Sequence, residues 1–303
     1  MDKNSVWTKY WSSGAVASFF NERATLQMYQ FKKFWFERLD ELKEIKGPVV
    51  DVGTGNGIVV RWLSDYATER GIKLAVTGID AAHVNPKYTE LSLQSDTSYE
   101  TYALSGNKKI GMVVSQFGLE YGDIEYGLAN LHGQLKKNGQ LIALMHTPES
   151  VIVQRNNILF ELLPSVIKQM KKSVQPLQKS LLQDGKDKLS KTALEGQRNL
   201  NNFVRRYQQS GALRALNFVE VSKKILDLAA SNNKQPSSKL FDDYLASLHD
   251  QRGRLRQVQQ AAEKMDAMQL TKTLQDVGFK NIQCETVEFP ETGVVGICVR
   301  ASK

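Results

Sequence analysis

The residues best suited to chemistry are Asp51, Gly53, Gly55 and Gly57, alternating through Pro48-Val49-Val50-Asp51-Val52-Gly53-Thr54-Gly55-Asn56-Gly57. Alternate glycines let a backbone turn sharply and let a ligand approach with no Cβ in the way. The spacing is G-x-G-x-G, and Ile58 stands where a dinucleotide fingerprint wants its last glycine. Asp51, two residues ahead of the first glycine, would repel a pyrophosphate and attract an ammonium or a sulfonium. The elements that must position this turn are readable on either side. Pro48 to Asp51 reads as a short buried strand, and Ile58, Val59, Trp62, Leu63 and Tyr66 recur at the three- and four-residue steps of a helix face. Strand, glycine turn and helix form the layout of a nucleotide-binding first unit.

S-adenosylmethionine (SAM) carries both of those cations and no phosphate. At Asp51, Gly53, Thr54, Gly55, Asn56 and Gly57 the chain resembles the class I SAM-dependent methyltransferases, whose first motif is an acidic residue followed by G-x-G-x-G. The resemblance implies a doubly wound α/β sheet of seven strands with an antiparallel last strand, SAM as cofactor, and methyl transfer as the reaction. Leu74 to Asp80 reads as the second strand. In the family the acid at this position, here Asp80 with Ala81 beside it, binds the ribose hydroxyls; helix capping is the structural alternative. Residues 88–96 read as a weak third strand around Leu91 and Leu93. Asp96 then matches an acid the family places near the adenine amino group, although an aspartate in a surface turn would look the same.

Ile110 to Ser115 is an apolar run of the kind buried in a parallel sheet. The following Gln116-Phe117-Gly118-Leu119-Glu120-Tyr121 corresponds to the family loop that borders the transferred methyl group. On that basis Gln116 is assigned to the cofactor, and Phe117, Glu120 and Tyr121 to the substrate. The Asn/Asp-Pro-Pro-aromatic motif of the branch that methylates base amino groups is absent, which argues against that chemistry. A helix with Leu128, Leu131 and Leu135, a basic turn at Lys136-Lys137-Asn138-Gly139 and a fifth strand from Gln140 to His146 follow. His146 stands at the carboxyl end of that strand, the edge where open α/β sheets bind ligands. It reads either as a general base or as a satisfied wall residue. Methyl transfer needs chiefly a held nucleophile and excluded water, so the site requires no strong base.

Before this core, Trp7, Tyr10, Trp11, Phe19 and Phe20 form an aromatic cluster, followed by a helix carrying Phe31, Phe34, Trp35, Leu39 and Leu42. These residues either pack as an apolar extension or let Tyr10 and Trp11 close over the cofactor or substrate. After residue 148 the resemblance stops until residue 259. The intervening stretch reads as four or so helices, with stripes at Ile158–Leu163 (broken at Pro164), Leu200–Tyr207, Leu213–Ala230 and Leu240–Leu248, and a break at Asn232–Ser238. A helix from Ala261 to Val277, ended by Gly278, and strands at 281–289 and 293–301 then return to the core. The organisation expected is an N-terminal lid (1–46), a core (47–149 and 258–303) and a helical insertion (150–257).

The chain has 303 residues, a formal charge of +8, 41% hydrophobic and 24% charged residues, as in a globular protein. It has no apolar run long enough for a bilayer and no signal region at Met1–Ser5. Cys284 and Cys298 lack metal-ligand spacing and read as free thiols, so a cytoplasmic location without a metal is expected. Residues 150–258 hold 19 Lys+Arg against 9 Asp+Glu, so the positive charge belongs to the insertion. Three functions follow. The first is methyl transfer to a small-molecule metabolite beneath a helical cap. The second is methylation of RNA or another polyanion, with Lys171, Lys172, Arg205, Arg206, Lys223, Lys224, Arg252, Arg254 and Arg256 on phosphates. The third is a non-catalytic SAM-binding protein that forms a homodimer through the insertion.

Overall fold

The structure is a computed structural model that describes residues 4–18, 24–42, 44–45, 47–85, 90–106, 108–185 and 188–303. Phe19 and Phe20 of the aromatic cluster lie outside the described residues, as do Tyr88 and Thr89 at the start of the expected third strand. The chain divides into two compact units, one made of residues 1–154 and 257–303, the other of 155–256.

The first unit begins with helices α1 (Ser5–Ser12) and α2 (Ala24–Asp40). Next come β1 (Val49–Val52), α3 (Ile58–Arg70), β2 (Val76–Ile79), β3 (Leu93–Gln94), β4 (Ile110–Gln116), α4 (Ile124–Gln134) and β5 (Leu135–Met145). Helices α5 (Val151–Gln169), α6 (Gln175–Asp184), α7 (Lys191–Tyr207), α8 (Gly211–Ala215), α9 (Phe218–Ala230) and α10 (Lys234–Glu263) follow. Then α11 (Ala267–Val277), β6 (Lys280–Phe289) and β7 (Gly293–Ser302) complete the chain.

All seven strands form one sheet in the order β3-β2-β1-β4-β5-β7-β6. β1 pairs in parallel with β2 and with β4, Val49 standing opposite Val76 and Met112. Every residue of β1 and β4 is buried, which is why these strands read as continuous apolar runs. β7 runs antiparallel to both β5 and β6, as a hairpin partner with a short Pro290–Thr292 connection. Strand order reverses between β2-β1 and β4-β5, so a crevice opens at the carboxyl ends of β1 and β4.

The N-terminal segment belongs to this unit. Phe31, Phe34, Trp35 and Leu39 of α2 are buried with Leu63 of α3, Met112 of β4 and Leu144 of β5 in one apolar cluster. Leu135 begins β5 instead of ending a helix, and the expected basic turn is an excursion within that strand. Leu135 pairs with Ile110 and Gln140 with Met112, while Asn138 between them takes a φ of +61°. The expected helix from Ala261 to Val277 is two helices. α10 stops at Glu263, and Asp266 caps α11 by accepting the Gln269 N–H at 2.8 Å.

The second unit packs its own core around Leu163, Val166, Met170, Phe218 and Ile225. Two sequence expectations change here. α5 continues through Pro164, and five residues with the wider π-type turn (Met170–Val174) join it to α6. α10 starts at Lys234 and takes Pro236 into its first turn, where a missing N–H costs nothing. No helix among the described residues is long and apolar enough to cross a membrane.

Candidate functional site

The carboxyl ends of β1, β2 and β4 open on a cavity of about 780 Å³, within the usual range for small-molecule sites. The turn after β1 forms one wall. Gly53, Gly55 and Gly57 all have positive φ (+68°, +53° and +86°), a conformation that penalises any side chain. Gly53 also lies so close to Gly118 that an added Cβ would fall 2.5 Å from the Gly118 Cα. The turn residues Gly53 and Thr54 line the cavity.

Asp51 is fully buried directly behind this wall and does not itself line the cavity. The Thr54 hydroxyl donates to its Oδ2 at 2.6 Å, while Oδ1 has no hydrogen-bond partner among the described residues. Burial, opposed by the Thr54 bond and aided by repulsion from Asp80, pushes its pKa up to about 7. Asp80 lines the cavity beside Ala81. Its carboxylate accepts the Gly55 N–H and the Ala82 N–H, each at 2.8 Å, and burial raises its pKa to about 6. A carboxylate offers about four acceptor directions, so two remain for hydroxyl groups.

Gly55, Asn56 and Gly57 have other neighbours than those expected. The face that Gly55 leaves bare is covered by the Trp11 ring, 2.5 Å from where a Cβ would stand. Asn56 donates from Nδ2 to the Trp11 carbonyl at 3.0 Å and to the Ala15 carbonyl at 2.7 Å. It thereby clamps the end of α1 onto the turn. Gly57 starts α3 against Leu91 and Leu93, away from the cavity. Trp11 itself lines the cavity, whereas Tyr10 does not; its hydroxyl bonds the Ala17 carbonyl at 2.8 Å.

The segment after β4 forms a second wall. Gln116 lines the cavity, accepts the Trp35 indole N–H at 2.7 Å, and keeps its amide nitrogen without a partner among the described residues. Phe117 and Tyr121 line it too. Phe117 stacks on His146 with ring centroids 4.0 Å apart and planes 4° from parallel. Glu120, 2% exposed, accepts the His146 backbone N–H on Oε1 at 2.8 Å, and its Oε2 has no partner among the described residues. Burial raises its pKa to about 7. His146 sits behind Phe117 and outside the lining, and desolvation depresses its pKa to about 3, which keeps the ring neutral.

Asp96 is not brought to the cavity. It occupies an exposed turn with a φ of +54° and pairs with the His83 ring at 2.9 Å. Thr97, Ser98 and Tyr99, the next residues, line the cavity instead. The sequence reading also passed over Glu100, Asp123, Glu125, Asp266, Gln269 and Thr273. Two of these carried a signal: Asp123 and Asp266 each precede a helix as its capping residue, and a helix start at the sheet's carboxyl edge faces the crevice.

A glycine turn after β1, an acid at the end of β2 and the strand order with an antiparallel β7 now stand together. The chain has the class I methyltransferase fold. No family model matches it, and no curated protein sequence is significantly similar. Solved structures that resemble it include a SAM-dependent methyltransferase of Thermotoga maritima, described as a possible histamine N-methyltransferase. That likeness covers 99% of each chain at 11% identity, with a TM-score of 0.45. A SAM-dependent methyltransferase of Archaeoglobus fulgidus matches at 11% identity and TM-score 0.43, over 93% of this chain and all of that one. Phosphoethanolamine N-methyltransferase 2 of Haemonchus contortus, solved with SAM, matches 99% of this chain at 12% identity and TM-score 0.43. This chain spans 57% of its length. At such values the fold rests on the strand order of this methyltransferase-like sheet itself.

Proposed function

We propose that the protein is a SAM-dependent methyltransferase acting on a small-molecule acceptor. The observation that carries the reading is the pair of buried acids at one glycine turn, with Oδ1 of Asp51, unpartnered among the described residues, behind the cavity wall and Asp80 in it. A buried carboxylate oxygen with no partner is costly unless a donor or cation completes it. The donor set fits SAM: the bare Gly53–Thr54 backbone suits its cationic end, with Asp51 adding negative charge from behind that wall, and the spare acceptor directions of Asp80 suit ribose hydroxyls. Gln116 and Ala81 complete that side. SAM supplies an electrophilic methyl group when bound.

The chain's own residues then bind, orient and exclude water. Trp11, Phe117, Glu120 and Tyr121 form the wall available to an acceptor. For His146 we propose a positioning role: its backbone N–H holds Glu120 and its ring braces Phe117. A neutral imidazole with a depressed pKa, standing outside the lining, is a poor general base.

Titration calorimetry with S-adenosylhomocysteine, the demethylated product, and with NAD tests the reading. Binding of the first and not the second is expected. NAD binding without S-adenosylhomocysteine binding would end it. Transfer of label from methyl-labelled SAM into a small-molecule extract then checks turnover.

A further inference from the structure

We propose that the acceptor held in this site is a small organic amine, bound as its ammonium ion with Glu120 as counter-ion and the rings of Trp7, Trp11, Phe117 and Tyr121 around it; the ion gives a proton to the Glu120 carboxylate before its nitrogen lone pair can take the methyl group. The proposal rests on the reading of the cavity as a methyl-transfer site. Its first ground is the charge of the lining. Among the described residues, Asp80, Glu100, Glu120, Asp123, Glu125 and Asp266 face the cavity, against one cation, Lys264. This sits in a chain whose net charge is +8. A low-dielectric cleft lined by one sign of charge concentrates ligands of the other sign and repels its own. Phosphates and carboxylates are therefore disfavoured as acceptors, and cations are drawn in.

An acidic lining alone does not make a site, and four of these carboxylates already have structural work, Asp80 at the glycine turn among them. Asp123 accepts the Tyr126 N–H at 3.1 Å, Asp266 the Gln269 N–H at 2.8 Å, and Glu100 the Asp123 N–H at 2.9 Å. Glu120 differs. It is 98% shielded from solvent, lines the cavity and keeps Oε2 without a partner among the described residues. A bond from a neighbouring element, the His146 N–H, fixes Oε1.

The surroundings of Glu120 point the same way. Tyr121 meets Trp7 edge to face at 5.4 Å, and Trp7 stacks on Trp11 at 6.1 Å. The Trp7 indole N–H is held by Gln257 at 2.7 Å, which fixes that ring in the wall. Aromatic faces attract cations more strongly once water is excluded. A neutral hydroxyl could bond Glu120, but it would leave the buried charge uncompensated.

Glu120 belongs to the segment after β4, and Asp51 and Asp80 to the ends of β1 and β2, so donor and acceptor are separable by mutation. Probes of one shape and three charges test the proposal: benzylamine, benzyl alcohol and benzoate, titrated calorimetrically into the full-length protein, with S-adenosylhomocysteine titrated in parallel. Benzylamine should bind about ten- to hundredfold more tightly than benzyl alcohol, the scale of a hydrogen bond to a charged group, and benzoate should bind worst. Glu120→Gln should erase the preference for the amine and leave S-adenosylhomocysteine affinity unchanged. Trp7→Leu should weaken the amine about threefold or more through lost cation–π attraction. Equal affinity for amine and alcohol, no amine binding, or a Glu120→Gln protein that keeps the preference overturns the proposal. So does an equal loss of S-adenosylhomocysteine in that variant, which assigns Glu120 to the donor. Amine binding without S-adenosylhomocysteine binding sinks the methyl-donor reading and leaves the ammonium site standing.

Discussion

The cavity of the sheet unit and the surface of the helical unit carry opposite charge. Among the described residues the cavity has six carboxylates and one lysine, while the 150–258 stretch has 19 basic residues against 9 acidic. The two also hold their charges differently. Asp51, Asp80 and Glu120 are buried, and burial has raised all three pKa values. Arg205 and Arg206 stand exposed on α7, over a core that buries no charged side chain among the described residues. Net charge therefore reports the outside of the helical unit and says little about what the cavity selects. Buried charges should dominate ligand recognition, and exposed ones should be replaceable.

The largest effect expected is at the glycine turn. Gly55→Val combines a side chain at positive φ with a clash against Trp11, so S-adenosylhomocysteine affinity should fall beyond about a hundredfold, or ~3 kcal/mol. Calorimetry showing normal binding would mean that the turn does not shape the donor site.

Glu120 sharpens the contrast through stability. Its pKa rises from 4.5 to about 7 on folding, so the unliganded fold is favoured by this group below about pH 4.5. That contribution is lost as pH rises through about 7. Glu120→Gln never ionises, so thermal unfolding should show the variant more stable than the wild type at pH 8, by up to about 3 kcal/mol. The gain should fade by pH 5. Asp51, Asp80 and His146 titrate in both proteins and largely cancel in the difference. A constant gain across pH would show that Glu120 is not a buried ionising group.

Asp80→Ala should weaken S-adenosylhomocysteine by about 1–3 kcal/mol, the scale for losing a charged acceptor. Unchanged affinity in a folded variant would remove Asp80 from the ligand. His146→Phe should retain the stack on Phe117 and the backbone bond to Glu120 while deleting the buried Nδ1, which has no partner among the described residues. Stability should rise by about 1 kcal/mol and turnover should hold; a collapse of turnover with the fold intact would restore the general-base reading. The smallest effect belongs to the helical unit. Arg205→Glu with Arg206→Glu should change ligand affinity by less than about 0.5 kcal/mol. A tenfold change would break the comparison and return the basic surface to the recognition problem.

The legible part of the molecule is what neighbouring residues decide among themselves. The run from Val49 to Gly57 contains its own strand, its own turn and the acid behind that turn. Backbone sterics and an apolar run of parallel-strand character need no distant partner to be recognised. The strands at β2, β4, β5 and the β6–β7 hairpin were readable for the same reason, to within the Leu135–Gly139 excursion.

Tertiary packing decided the rest. Nothing near Gly55 indicates that Trp11 will lie on it, because that contact depends on Asn56 reaching across to the end of α1. Asp96 and Thr97 are neighbours, yet only Thr97 lines the cavity, because the turn residue Asp96 points to the surface and to His83. The acidic lining gathers residues from between positions 80 and 266, so no window of sequence contains it. Local conformational preference is written residue by residue, whereas burial and electrostatic environment are properties of the neighbours that folding supplies. That is why the sequence disclosed a cation-suited glycine turn, and only the folded sheet assembled the carboxylates and rings that would hold an acceptor.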